Sequence, residues 1–442
     1  MNTKLIRHAI MLTLIPLLVG CGAAAPAAST MPTGTPNRGS FATASAPPPT
    51  SVVTSVSIAD QESTASVPAN VLGAASNTFG FDLLHELHAS TPDSNVFISP
   101  VSLSLLLQLA YNGADGASAQ EIADVLHVED LELDALNASS QAWQQELTAS
   151  PAVEVLLGNS IWVQQGYQLL DSFLATAASY FNADAATLDF ASPAATDTIN
   201  GWVAEATQGK IDKLFESLDP NVVTYLINTV YFKGAWSKPF DPAQTEPMPF
   251  QLADGSEVTV PMMTQEGDFA YAMADNYAAL ALPYGEDVDG TGDVRMVIVL
   301  PDEGVALDSV LAQLTPETWQ DLSGQLGEES IVILSLPRFK VEYDATLNDA
   351  LMALGMESAF SQPDFANMVD GGGLSISYVR HKAIVEVNEE GTEAAAVSVG
   401  AMELSLPPSF MVNRPFFFAI QDTTTDTILF MGAIYAPEAL GE

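Results

Sequence analysis

Cysteine is almost absent from this chain of 442 residues: Cys21 is the only one, so no intrachain disulfide can form. Bases are scarce too. Thirteen Lys and Arg stand against 55 Asp and Glu, a formal net charge of −42. A surface this negative repels phosphate backbones, which excludes nucleic acid and heparin-like polyanions as expected partners. Charged residues still make up only 15% of the chain and hydrophobic ones 48%. That is apolar enough to fold and too sparsely charged for an unfolded polyanion.

Histidine is the third scarcity, with 5 residues, and enzyme signatures are missing with it. No Gly-x-Ser-x-Gly occurs, and Gly209-Lys210 lacks the earlier glycine and the following Ser or Thr of a phosphate loop. In His85-Glu86-Leu87-His88 the histidines are three apart, not the four of a zinc helix, and no third ligand follows. They read as two surface histidines on an amphipathic helix. Asp287-Val288-Asp289-Gly290-Thr291-Gly292-Asp293 has the look of a calcium-loop start, but Thr291 takes a ligand slot and Ile298 stands where glutamate is needed. It reads as a glycine-rich hairpin turn. No catalytic residue, metal site or cofactor is expected.

Hydrophobic runs are short. Lys4 and Arg7 precede an apolar stretch, Ala9 to Val19, of signal-peptide length. Leu18-Val19-Gly20-Cys21 then resembles the lipobox of bacterial lipoproteins, in which the cysteine is diacylated and becomes the new N-terminus. Residues 1–21 are therefore expected to be a lipoprotein signal peptide. Residues 22–70, rich in Ala, Pro, Ser and Thr and including Pro47-Pro48-Pro49, read as a flexible tether. The expected location is outside a bacterial cytoplasmic membrane or on the cell surface, held by lipid on Cys21.

Order is expected from residue 71. Ser76-Asn77 can cap a helix carrying Phe79, Leu83 and Leu87 on one face. Ser99-Pro100 starts a second, with Leu103, Leu106, Leu107 and Ala110 as its stripe and Asn112-Gly113 at its end. Another runs from Thr196 to Gln208. Strand-like runs follow at Val222–Phe232, Val294–Leu300, Ile331–Leu336, Ile384–Val387, Phe416–Ile420 and Ile428–Met431. Length leaves one domain or two open, but no internal repeat or second linker appears. The pattern predicts one α+β domain with large, mostly antiparallel sheets and packed helices.

Between two of these strands lies a stretch of some twenty residues without a helical apolar face, from Glu389 to Pro408, the length of a functional loop. Its alternate residues Thr392, Ala394, Ala396, Ser398, Gly400 and Met402 are all small but the last, while Glu393 and Glu403 belong to the other set. In a strand these sets face opposite sides, so one side could slip into a crowded core. Gly391 is where the chain could reverse.

Glu389-Glu390-Gly391-Thr392-Glu393-Ala394-Ala395-Ala396 resembles the reactive-loop hinge of serpins. Asn95-Val96-Phe97-Ile98-Ser99-Pro100-Val101-Ser102 and Asn228-Thr229-Val230-Tyr231-Phe232-Lys233-Gly234-Ala235-Trp236 resemble serpin segments as well. So do His381-Lys382-Ala383, Arg414-Pro415-Phe416-Phe417-Phe418-Ala419-Ile420 and Phe430-Met431-Gly432. The resemblance runs in family order from 71 to 442, the expected serpin domain.

The resemblance implies a serpin fold and a suicide substrate for serine proteases. The loop is cleaved as bait and inserts into the central sheet, and the acyl-enzyme is trapped as a covalent complex. It assigns a hydrogen-bonded shutter to Ser99, Ser102, Asn228 and His381, and an ion pair of Glu389 with Arg338 beside Trp236 at the upper end, the breach. A buried neutral His381 would then need partners for both ring nitrogens. Anchoring on Pro407-Pro408 makes Leu404-Ser405 the scissile bond; counting from Gly391 puts the cut one residue later. Leu404 is chosen, and it points to chymotrypsin-like, elastase-like or subtilisin-like targets. The expected state is a monomer. The alternatives are a non-inhibitory serpin-fold binding protein and a lipoprotein hydrolase, the latter without motif support.

Overall fold

The computed structural model describes residues 67–148, 153–285, 293–327, 329–390 and 408–438. Cys21, the tether up to residue 66, the hinge from Gly391 to Ala396 and the Leu404-Ser405 bond lie outside them. So does the Asp287-to-Gly292 turn.

The first helix, α1 (Ala69–Ser90), starts earlier than the sequence suggested, after Pro68. Ser76 and Asn77 are buried in its middle and cap nothing. Their polar groups serve tertiary contacts instead. Ser104 Oγ donates to Ser76 Oγ at 3.2 Å. Asn77 donates to the Asp426 carbonyl at 2.8 Å and accepts from Ile428 N–H at 2.8 Å. Order also begins before residue 71, because Val67 N–H is fixed on Ser139 Oγ at 2.8 Å. The two histidines of α1 are partly covered, not surface groups. His85 Nε2 lies 3.0 Å from the Leu311 carbonyl, and His88 stacks on Tyr435.

The second helix, α2 (Pro100–Gly113), has the predicted start: Ser99 Oγ accepts from Ser102 N–H at 3.3 Å with Pro100 in the first turn. Four helices follow: α3 (Gly116–Val125), α4 (Leu133–Thr148), α5 (Asp171–Tyr180) and α6 (Pro193–Ala206). The last of these begins three residues before Thr196, on the Ser192-Pro193 pair, and stops where Gln208 and Gly209 turn to positive φ. Shorter helices α7 (Leu307–Leu311), α8 (Pro316–Gln325), α9 (Asn348–Ala353) and α10 (Glu357–Ser361) lie among the later strands.

Two sheets carry the domain. The larger has the order β1-β14-β13-β8-β7-β6-β9-β12, with β5 on β6. Its strands are β1 (Val96–Ile98), β5 (Glu246–Gln251), β6 (Glu257–Met273), β7 (Tyr277–Pro283), β8 (Val294–Pro301), β9 (Glu329–Pro337), β12 (Ser409–Met411), β13 (Phe416–Asp422) and β14 (Thr427–Ile434). Every pair is antiparallel except β9 with β12. The strands flanking the Asp287 turn, β7 and β8, pair antiparallel, as a hairpin requires. Both β13 and β14 are buried along their whole length, which is why Phe416–Ile420 and Ile428–Met431 read as continuous apolar runs.

The second sheet has the order β10-β11-β4-β2-β3, from β2 (Val153–Gln164), β3 (Asp184–Leu188), β4 (Thr224–Gly234), β10 (Phe339–Thr346) and β11 (Tyr378–Val387). Its centre is covered on both faces. One face of β4 and β11, with Leu226, Val230, Val379 and Val385, enters the main core. The other, with Tyr225, Ile227, Tyr231 and Ile384, packs with Ile199 and Val203 of α6 and with Trp162. At Gly158 on β2 the helix comes so close that an added Cβ would lie 2.9 Å from Ala206 Cβ and 2.6 Å from Thr229 Oγ1. Only glycine fits there.

Candidate functional site

Strands β4 and β11 are neighbours that run parallel, in register from Tyr225–Tyr378 to Phe232–Val385. The chain leaving β11 at Val387 continues into the stretch from Glu389 to Pro408, most of which lies outside the described residues. The sheet is thus closed along a seam whose two sides meet side by side.

Midway along the seam, Asn228 and His381 are a directly paired rung, both fully buried. Asn228 Oδ1 accepts from His381 Nδ1–H at 2.6 Å, which places the ring proton on Nδ1. Asn228 Nδ2 donates to Ser102 Oγ at 2.5 Å and to Asn159 Oδ1 at 2.7 Å. Three of the four residues assigned to the shutter therefore converge. The fourth, Ser99, stands one step away: its Oγ donates to the Leu429 carbonyl at 2.7 Å and caps α2. Asn159, on β2 opposite Asn228, was missed from sequence. A polar residue buried within a strand was its only signal, and the partner appears only when β2 and β4 pair.

His381 departs from expectation in one respect. Its Nε2 has no well-directed hydrogen bond among the described residues. Burial drives its pKa from the ordinary 6.5 down to about 3, against a smaller opposing pull from the Phe97 carbonyl. The ring is neutral at neutral pH.

At the upper end of the seam, Trp236 Nε1–H donates to the Asn388 carbonyl at 2.8 Å, and Phe240 N–H to the Glu389 carbonyl at 2.9 Å. Trp236 stacks on Tyr284, with ring centroids 4.4 Å apart. The Glu389 carboxylate lies 3.6 Å from Arg338 Nη1, forming the expected ion pair, and accepts from Thr245 Oγ1 at 2.7 Å. Thr245 was not foreseen. It sits in the connection before β5, where a lone threonine carries no sequence signal. Glu389 is nearly buried, so these bonds replace its hydration. Together they fix the point where the loop leaves the sheet.

Among the described residues no group of three or more His, Cys, Asp or Glu is placed to hold a metal ion. No described helix is long and apolar enough to cross a membrane.

A closed sheet, a buried polar cluster on its parallel seam and a tryptophan at the seam's upper end define the fold and the site. The family model for serpins, described as serine protease inhibitors, matches residues 74–437, and the chain belongs to this family. An uncharacterised serpin-like protein of Thermococcus kodakarensis is 36% identical over 374 residues, covering 82% of this chain and 85% of its own. Leukocyte elastase inhibitor of Xenopus tropicalis is 36% identical over 381 residues, covering 83% and 99%. Among solved structures, human thyroxine-binding globulin is similar at TM-score 0.76 and 29% identity, covering 84% and 99%. Human kallistatin matches at TM-score 0.76 and 26%, covering 85% and 100%.

Proposed function

We propose that this chain inhibits serine-type endopeptidases as a suicide substrate. One observation carries the reading: β4 and β11 are parallel neighbours, and the loop leaves from the end of β11. A segment turning back between them would run antiparallel to both and replace one parallel pairing by two antiparallel ones. The alternating small residues Thr392, Ala394, Ala396, Ser398 and Gly400 suit the side of such a strand that faces the core.

In this mechanism the protease serine attacks the Leu404 carbonyl and the bond to Ser405 nitrogen breaks. The Ser405 amine leaves with a proton, and Leu404 remains esterified to the enzyme. Insertion of the freed loop then carries the enzyme away before water completes hydrolysis. Leu404 suits a hydrophobic primary pocket, hence chymotrypsin-like, elastase-like or subtilisin-like targets. The kinship with leukocyte elastase inhibitor supports that class.

Incubation with chymotrypsin, elastase and subtilisin tests this on a denaturing gel. A stable complex and a released peptide starting at Ser405 are expected; cleavage without complex rejects inhibition. A second reading, a non-inhibitory binding protein, is favoured by the similarity to thyroxine-binding globulin, solved in complex with thyroxine. It predicts cleavage only. We further propose export, with lipid on Cys21 holding a monomer outside the membrane. Fatty-acid labelling lost in Cys21→Ser tests the anchor, and sedimentation tests the monomer.

A further inference from the structure

The seam between β4 and β11 is fastened at its top by Trp236 and Glu389 and in its middle by Asn228 and His381. Its base carries side-chain contacts as well. Tyr378, the first residue of β11, stacks on Tyr225 of β4 with centroids 5.4 Å apart and planes 19° from parallel. The neighbouring Ser377 Oγ accepts from Val223 N–H at 3.2 Å and from Thr224 N–H at 3.4 Å, the start of β4.

The two sides of this contact are unequal. Tyr225 is buried and immobilised: Phe190 and Phe215 pack edge-on at 5.1 and 5.3 Å, and its hydroxyl oxygen accepts from Asp219 N–H at 3.0 Å. Phe190 precedes α6 and Phe215 follows it. The Tyr225 ring is thus tied to both flanks of the helix that covers the seam. Tyr378 lies on the other strand with 37% of its surface exposed, and its ring stacks on Tyr225. The pair consists of a rigid seat and a releasable arm.

We propose that Tyr378 and Ser377, closing on Tyr225 and the start of β4, are positioning residues for the last stage of loop insertion. They oppose it until the strand reaches the base. The inference rests on the inhibitory reading above. Chain length supplies the argument. β11 has 10 residues. The segment from Gly391 to Leu404 has fourteen, counted along the sequence. An inserted strand carrying Leu404 must therefore pass the Tyr225–Tyr378 rung and part it. An insertion that stops within the upper rungs leaves it intact. The base clasp then separates partial from complete insertion, and so biases the competition between trapping the acyl-enzyme and releasing it by hydrolysis.

The test uses synthetic peptides copying Gly391 to Ser398 and Gly391 to Leu404, annealed to the intact protein and to the Tyr378→Val and Ser377→Ala variants. Annealing is followed on native gels and by thermal stabilisation. The long peptide is expected to anneal on the order of two- to ten-fold faster to Tyr378→Val than to the parent, the scale of a lost aromatic stack. The short peptide is expected to show no change. Equal acceleration of both peptides, or of neither, overturns the clasp, because a merely structural residue lowers the melting temperature without discriminating between lengths. If neither peptide anneals to the parent protein, the loop-insertion reading itself has failed, a result distinct from the other two.

Discussion

Toward β10, strand β11 runs antiparallel from Phe339–Val387 to Thr346–Arg380; toward β4 it runs parallel over the same length. The β10 side is laced with charge. Arg380 Nε lies 2.7 Å from Asp344, Lys382 Nζ lies 2.8 Å from Glu342, and Lys340 reaches both Glu342 and Glu386 at 3.7 and 4.0 Å. The hydrogen bond from Lys382 holds the Glu342 carboxyl below its usual range. The β4 side has no such ladder among the described residues. Instead, Thr224 Oγ1, Thr229 Oγ1 and His381 Nε2 are buried there without well-directed hydrogen bonds among the described residues, against Arg380 Nε alone on the β10 side, where an ion pair compensates it. Parallel pairing is the slightly weaker kind, and each unsatisfied buried polar group costs about 1–3 kcal/mol. One strand thus has a strong flank and a weak one. The difference makes β4–β11 the weaker flank of β11, the line along which the proposed insertion would part the sheet while β10 and β11 stay together.

This contrast can be broken by substitution. The largest effect is expected at Asn228→Ala, which strands Ser102, Asn159 and His381 at once in a buried site. Urea denaturation should show a loss of about 3 kcal/mol. An unchanged midpoint would mean that the shutter bonds contribute nothing to closing the seam.

Acid comes next. The folded pKa of His381 is about 3 against an ordinary 6.5, so between those values the unfolded chain binds a proton that the folded chain does not. Stability of the closed sheet is full above pH 6.5 and declines as pH falls toward 3, by up to about 1.4 kcal/mol per pH unit. His381→Gln should remove this part of the slope between pH 6.5 and 5, measured against the parent because many carboxylates also titrate at lower pH. Parallel pH profiles for the two proteins would deny His381 that role.

At the top of the seam, Glu389→Gln removes the ion pair with Arg338 and weakens the bond to Thr245. A loss of about 1–2 kcal/mol is expected, with faster proteolysis of the loop. The smallest change belongs to the strong flank. Asp344→Asn, in a half-exposed ladder, should alter the unfolding midpoint by less than about 1 kcal/mol and leave loop proteolysis untouched. If it loosened the loop as much as Glu389→Gln does, β11 would not have two unequal sides.

Legibility followed burial pattern. Strands buried on both faces announced themselves, β8 and β14 among them, and so did the Ser99-Pro100 helix start. The 17-residue β6, which carries Pro261 and Gly267 and alternates poorly, was not legible. Its long pairing with β9 keeps it a strand where local preference does not. The start of α1 was misplaced for a similar reason. Ser76 and Asn77 look like caps, but their bonding groups are taken up by residues as distant as Ser104 and Ile428. Of the site, Asn228, His381, Trp236, Glu389 and Arg338 could be named because they lie in contiguous recognisable segments. Asn159, Thr245 and Tyr378 stand alone in unremarkable surroundings, and only chain crossing gives them partners.

By itself, the order of residues determined which segments are apolar enough to be strands, where α2 begins and which stretch between two strands has small residues at alternate positions. These are local properties, set by side-chain size, polarity and periodicity. The tertiary structure alone decided that β4 and β11 lie side by side and parallel, that His381 Nε2 lacks a well-directed hydrogen bond, and that the seam is closed at three heights. Those facts depend on pairing between residues more than a hundred positions apart, where neither propensity nor spacing reaches.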